Sequence, residues 1–322
     1  ASNSATACGI WCSAGSDMNS SGHTVQLPMR DGVSASVVSV PAGHWPSVLD
    51  FLAQRMPGIA RSEWAERLQQ GLVLHPNGQC ALPTQACQPG ERLYYYRNLA
   101  DEPVLPVQAS IVFEDEHLLV ADKPHFMPVT PAGRYVQQSL LVQLKRLTAC
   151  ADLVPLHRID RETAGLVLFG KATHERDAYH ALFRDKHIHK VYHAVAAWQP
   201  DLVLPRVHTS RLVPGEPFFR TQEVAGPANS ETRISLLRTS GDRALYQLEP
   251  VTGKRHQLRV HMNALGMPIE GDLFYPTVLR GPDADEDFSN PLQLLAKSVR
   301  FTDPVTGEAR EFHSAMRLSI AL

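Results

Sequence analysis

The chain has almost no net charge: 31 Lys and Arg stand against 33 Asp and Glu over 322 residues, a balance of −2. A surface basic all round, of the kind that coats phosphate backbones without selection, is therefore excluded, and any anion-binding face has to be local. Cysteine is scarce, with 5 residues in no regular framework, which argues against a disulfide scaffold and leaves Cys80, Cys87 and Cys150 as isolated thiols. Long apolar runs are missing too: the longest reach only about half of the roughly 20 residues a membrane helix needs. The Ser-, Ala- and Asn-rich start, which carries Cys8 and Cys12, lacks the basic opening and apolar core of a secretory signal. Residues 1–32 are expected to be a disordered leader, with Met18 a candidate natural start, and a reducing, cytoplasmic compartment is the default. A hydrophobic fraction of 43% is ordinary for a globular protein, and the length allows two domains.

What is present is concentrated in one stretch, Leu156-His157-Arg158-Ile159-Asp160-Arg161-Glu162-Thr163-Ala164-Gly165-Leu166-Val167-Leu168-Phe169-Gly170-Lys171. Charged or ionisable side chains crowd together immediately before an apolar run with strand character. A buried strand needs no such opening, since Gly, Asn, Asp or Ser usually precede it. An acid between Arg158 and Arg161, set just ahead of a rigid element, is placed where a reactive carboxylate would be useful. A solvated turn with a surface ion pair is the plain alternative.

Three further blocks follow in order. They are Glu114-Asp115-Glu116-His117-Leu118-Leu119-Val120-Ala121-Asp122-Lys123-Pro124, then Lys190-Val191-Tyr192-His193-Ala194-Val195, then Thr252-Gly253-Lys254-Arg255-His256-Gln257-Leu258-Arg259-Val260-His261, continued by Ala264-Leu265-Gly266-Met267-Pro268-Ile269-Glu270-Gly271-Asp272. Together the four resemble the ordered motifs of the RluA family of pseudouridine synthases: a segment ending in Asp/Asn-Lys-Pro, then H-R-L-D-x-x-T-S-G-L, K-x-Y-x-A, and T-G-R-x-H-Q-I-R-x-H with A-x-x-G-x-P-I-x-G-D. The resemblance implies an α+β fold, a mixed and largely antiparallel central sheet flanked by helices, with the cleft across its middle. It also implies isomerisation of uridine in RNA, ribosomal or transfer, with no cofactor, no metal and no obligate protein partner, by a monomer.

Residues 33–100 form a unit of their own. The segment 45–55 reads as a helix with Val48, Phe51, Leu52 and Arg55 on one face, and 62–71 as a second, capped by Ser62 and stopped by Gly71. A hairpin-like passage turns through Pro76-Asn77-Gly78-Gln79. The pattern resembles the small α-L (S4-like) RNA-binding module, in which basic helix faces straddle phosphates. Arg61 and Arg67 are the candidates here, diluted by Glu63 and Glu66, so a degenerate or structural module is the alternative. Asp101-Glu102-Pro103-Val104-Leu105-Pro106 is the expected linker.

A catalytic domain is expected over 107–322. Hairpin strands are expected at 111–113 and 117–121, helices at 139–147 and 173–184 with Ala178, Leu182 and Phe183 inward, and strands at 191–197, 232–238, 244–250, 294–301 and 311–313. Runs of strands without strict alternation with helices favour α+β. A basic cleft is expected from Lys145, Arg146, Arg158, Arg161, Lys171, Arg184, Lys186 and Lys190, with acid gathered at 283–287.

The reaction breaks an N-glycosidic bond, turns the freed uracil and rejoins it through carbon 5, so it needs a carboxylate beside the sugar and a surface to hold the base. By resemblance Asp160 is that carboxylate, Arg259 pairs with and orients it, Tyr192 stacks on the base with Leu258 beside it, and Arg158 enters the space left by the flipped nucleotide. His157, Lys123, His256, Gln257, Thr163 and Gly165 are expected to support the site, Gly165 through backbone freedom. Two departures stand out: Ala164 replaces Ser, and Phe126 occupies a Gly position and should alter its loop. Competing readings are an idle RNA-binding protein on this fold, a metal hydrolase using His187, His189 and His193, and a glycosidase using Asp160 with Glu162.

Overall fold

The computed structural model describes residues 27, 29–97, 102–281, 284 and 287–320. The leader with Cys8, Cys12 and Met18, and the acidic Asp283, Asp285 and Glu286, lie outside the described residues. The chain divides into two compact units at Ala100/Asp101. Among the described residues no helix is long and apolar enough to cross a membrane.

The first unit contains β1 (Ser36–Ser39), α1 (Val48–Arg55), α2 (Arg61–Gln69), β2 (Val73–Leu74) and β3 (Arg92–Tyr95), with the strands antiparallel in the order β1-β3-β2. Helix α1 starts where the Ser47 hydroxyl accepts the Asp50 N–H at 3.0 Å, and Val48, Phe51 and Leu52 bury against Trp64 and Leu68 of α2. Ser62 is not a cap. The Trp64 N–H bonds to the Ala60 carbonyl, so the first turn already begins at Arg61, and Ala60 caps it without a side-chain bond. Gly71, at φ +65°, does end that helix. The expected phosphate-straddling pair is also corrected. Arg67 is buried over the Trp64 ring and bound to Glu63, while Arg61 is held by Asp50 at 2.6 Å. Both charges are answered within the unit, which leaves α2 without an open basic face from these two residues.

The second unit contains β4 (Ser110–Glu114), β5 (Leu118–Lys123), α3 (Leu140–Thr148), β6 (Val154–Pro155), β7 (Ala164–Gly170), α4 (Arg176–Arg184), β8 (His189–Ala197), β9 (Arg206–Pro214), β10 (Thr221–Val224), β11 (Ser230–Ser240), β12 (Arg243–Pro250), α5 (Gln257–Ala264), β13 (Leu294–Thr302) and β14 (Ala309–His313). One sheet runs β10-β9-β11-β12-β8-β13-β7-β5-β4, with β14 on β13 and β6 on β7. Among the described residues only β13 and β7 pair parallel; the other pairings are antiparallel, in keeping with the α+β reading. The continuous apolar runs of β5 and β7 follow from burial on both faces. Leu119, Ala121, Val167 and Phe169 pack with Leu140 and Leu144 of α3, while Leu118, Val120, Leu166 and Leu168 pack with Tyr179 and Leu182 of α4. Tyr179, rather than Ala178 or Phe183, is the fully buried residue beside Leu182, because its hydroxyl has a partner in the buried Asp303 at 3.1 Å. The expected linker is partly structural: the Glu102 carboxylate accepts the N–H groups of Val136, Gln137 and Gln138 at 2.7–2.8 Å, fixing the approach to α3.

Gly165 sits where β7 meets β13. Its φ is +112°, and a Cβ there would lie 2.3 Å from the Ala296 carbonyl oxygen. Backbone freedom alone understates its role, since two parallel backbones meet at this point. Gly165→Ala should therefore destabilise the protein by about 3 kcal/mol, from steric overlap plus left-handed strain; thermal or denaturant unfolding of the purified variant checks this.

Candidate active site

Four elements converge. The turn before β7 supplies Asp160, whose carbonyl accepts the Thr163 N–H at 3.1 Å; β8 supplies Tyr192; the start of α5 supplies His256, Leu258 and Arg259; and the loop after α5 supplies Asp272. Helix α5 was not evident from sequence, since its apolar and polar residues alternate without a clean stripe. All but its two last residues are buried, including Gln257, Arg259 and His261.

Arg259 is the centre of the arrangement. Its side chain is 1% exposed, and its Nε and Nη2 donate to the two Asp272 oxygens at 2.8 and 2.7 Å. Its Nη1 donates to Asp160 at 3.2 Å and lies 3.8 Å from Glu162. Phe274 and Tyr275 present their rings to the guanidinium at 5.0 and 5.4 Å. Burial works against this charge, but the Asp272 bonds and the carboxylates behind them hold its pKa well above the ordinary value. Asp272 was the residue missed in the sequence. It stands at the end of the quoted Ile269-to-Asp272 motif, and the signal was available in principle: a buried Arg requires a buried acid.

Asp160 keeps 25% side-chain exposure. Burial raises its carboxyl, yet the charges of His256, Arg259 and Lys123 outweigh that and hold it below the ordinary carboxylate range. His256 Nε2 lies 3.9 Å from Asp160, while Nδ1 bonds the Tyr275 hydroxyl at 3.0 Å; burial, the first cause, lowers its pKa despite the nearby Asp160. Tyr192 packs with the Leu258 cluster, and its hydroxyl is pushed up by burial and then by the Asp160 charge. Lys123 is wholly buried and donates to the carbonyls of Pro124 and Arg161 at 2.9 and 3.0 Å, and burial lowers it to about 7 against the pull of Glu162 and Asp160. Gln257 braces the helix start: its amide donates to the Glu231 carbonyl and the Thr232 hydroxyl, and its oxygen accepts from Thr252 and Lys254. Thr163 is buried, and Arg158 is exposed.

The broad basic cleft is corrected. Lys171 is bound to Glu114, Arg184 to Asp177 and Arg161 to Glu162, so those three charges are answered by local acids, and Lys145 is buried. Phe126 takes a left-handed φ of +68°, a region that favours Gly, and its ring buries edge-on to Phe288 at 5.1 Å. Of the three histidines weighed as metal ligands, His189 is engaged with Glu249 at 2.9 Å. Among the described residues, His208, Glu223 and His261 are the group whose ligand atoms lie within 4.8 Å of one another. His208 bonds Glu223 at 3.0 Å, and the His261 ring bonds Ser210, Ser230 and Thr232, so each member already has a protein partner.

A family model described as RNA pseudouridylate synthase matches residues 117–264. An uncharacterized RNA pseudouridine synthase of Synechocystis is 33% identical over 234 residues, spanning 71% of this chain and 79% of that protein. The dual-specificity RNA pseudouridine synthase RluA of Vibrio cholerae is 32% identical over 200 residues, 60% and 77% of the two chains. The solved structure of human RNA pseudouridylate synthase domain containing 1 shares the fold, with a TM-score of 0.54 at 22% identity over 67% of this chain and 86% of that one.

His157 is built into the turn as an acceptor: its Nε2 takes the Leu168 N–H at 3.1 Å, its ring stacks on Phe183, and burial followed by the Lys190 charge pushes its pKa down to about 3. The unfolded chain binds a proton here near pH 6.5, and the folded chain refuses it until about 3. This stability is therefore complete above the unfolded value and is lost as pH falls below it, by about 2 kcal/mol at pH 4 after discounting for partial exposure. Denaturant unfolding across pH should show that slope, and His157→Gln, which keeps an acceptor without the titration, should flatten it.

Proposed function

The chain belongs to the RluA family of RNA pseudouridine synthases and is an isomerase, and we propose that Asp160 is the carboxylate that acts at the target uridine. The observation that carries this reading is the Arg259–Asp160 contact. Arg259 is saturated on one side by Asp272 and offers its remaining nitrogen to a half-open acid. The result is an ionised, oriented carboxylate that is 25% exposed and keeps lone pairs unused by Arg259, which is what attack on, or deprotonation at, a reacting sugar or base demands.

The other residues take roles consistent with their places. Tyr192 and Leu258 form the wall on which the uracil lies. Arg158, exposed beside Asp160, fills the gap left by the flipped nucleotide and offsets an unstacking cost of a few kcal/mol. His256, lowered in pKa and tied to Tyr275, positions rather than transfers protons. The substrate is a structured RNA, ribosomal or transfer, taken as a monomer. Neither rival enzyme reading fits as well: Glu162 is shared between Arg161 and Arg259 and is 12% exposed, which ill suits the second acid of a glycosidase.

Asp160→Asn should leave fold and RNA affinity nearly intact while turnover falls at least about a hundredfold. Pseudouridine formed in total RNA, resolved by chromatography of digested nucleosides, measures it. A variant retaining about a tenth of the turnover would remove Asp160 from this role.

A further inference from the structure

The hairpin joining β9 to β10 carries, at its tip, a phenylalanine that is 80% exposed, Phe218. Leaving such a ring in water forgoes roughly 1.5–3 kcal/mol of burial. A floppy tip would make that unremarkable, but this tip is anchored. Arg255 donates to the carbonyl of Phe218 at 2.9 Å and to that of Arg220, and reaches the Thr221 hydroxyl at 3.3 Å. Arg220 donates to the Pro276 carbonyl at 3.0 Å and lies over the Tyr275 ring at 4.8 Å, while the Tyr275 hydroxyl exchanges hydrogen bonds with the backbone of Thr221. The Gly215 N–H and the Arg220 carbonyl close the turn at 3.1 Å.

The tip is anchored, moreover, to the reaction centre. The Phe218 ring meets Phe219 at 5.6 Å, Phe219 meets Phe274 at 5.0 Å, and Phe274 lies under the guanidinium that holds Asp160. Arg255 and Lys254, both exposed, bring positive charge to the same rim. A rigid, outward aromatic edged with cations beside a cleft that unstacks a nucleotide has the properties of a base-stacking platform. We propose that Phe218 stacks on an unpaired base flanking the target uridine and so helps select the RNA loop that enters the cleft. The proposal rests on the isomerase reading, because the ligand it names is that reaction's RNA.

The test uses the full chain and a stem–loop RNA whose single loop uridine is flanked by 2-aminopurine, a base whose fluorescence falls on stacking. The wild type should quench the probe on binding. Phe218→Ala should remove the quenching and raise KM about tenfold, with kcat at saturating RNA little changed, and Phe218→Trp should restore both. The platform is overturned if the wild type does not bind the probe or binds it without quenching, if Phe218→Ala retains quenching and a KM within about twofold of wild type, or if Phe218→Trp fails like Phe218→Ala while both remain folded by circular dichroism. Pseudouridine formed by the wild type in total RNA is scored separately, so loss of the platform alone leaves the isomerase reading standing.

Discussion

A guanidinium removed from water is the constraint around which the second unit is organised. Moving such a charge into the interior carries a penalty of several kcal/mol, and it survives only with well-aligned acids and satisfied hydrogens. Arg259 has both: a two-pronged pairing with Asp272, itself 1% exposed, and a third bond to Asp160. Asp272 is fixed in turn by the N–H groups of Phe274 and Tyr275 at 2.9 and 3.2 Å. The turn before it is tight enough that a Cβ on Gly271, at φ +74°, would lie 2.5 Å from the Pro291 carbonyl oxygen. The segment from Arg259 to Tyr275 is thus one device for aiming a cation at Asp160.

The asymmetry of that device matters chemically. Had Asp160 taken both prongs of Arg259, it would be a quenched structural acid. Because Asp272 takes them, Asp160 receives the field of the guanidinium with a single hydrogen bond, at 3.2 Å. The field keeps it ionised, and the incomplete pairing keeps its remaining lone pairs available. Lys123 adds to the same field when protonated, while its Nζ donates to two backbone carbonyls.

Much of this was legible in the sequence, for identifiable reasons. The strands β5 and β7 read clearly because two-sided burial forces unbroken apolar runs, Asp160 stood in a charged stretch that no strand requires, and Arg259 was found through the family resemblance of its motif. What stayed hidden depended on partners distant along the chain. Strand β9 alternates in burial, but its inward positions include His208 and Ser210 while Val207 faces out, and α5 buries polar side chains whose partners lie on β9 and β11, so neither shows an apolar period. The basic cleft failed for a different reason: counting Lys and Arg leaves out the acids that answer them, Glu162 next to Arg161, Asp177 on the same helix as Arg184, and Glu114 reaching Lys171 from another strand. Arg67 shows the same effect within the first unit.

Phe126 shows how a departure from a family pattern is absorbed. Glycine at such a position costs nothing in the left-handed region, whereas phenylalanine at φ +68° carries strain of about 1–3 kcal/mol that its surroundings must offset. The surroundings do so locally: the ring is 6% exposed against Phe288, and the neighbouring His125 is tied by its Nδ1 to the Glu162 carbonyl at 2.7 Å. That bond joins the loop to the turn carrying Asp160 two residues earlier. The loop is thus tied to the turn that carries Asp160, and the added ring fills space against Phe288.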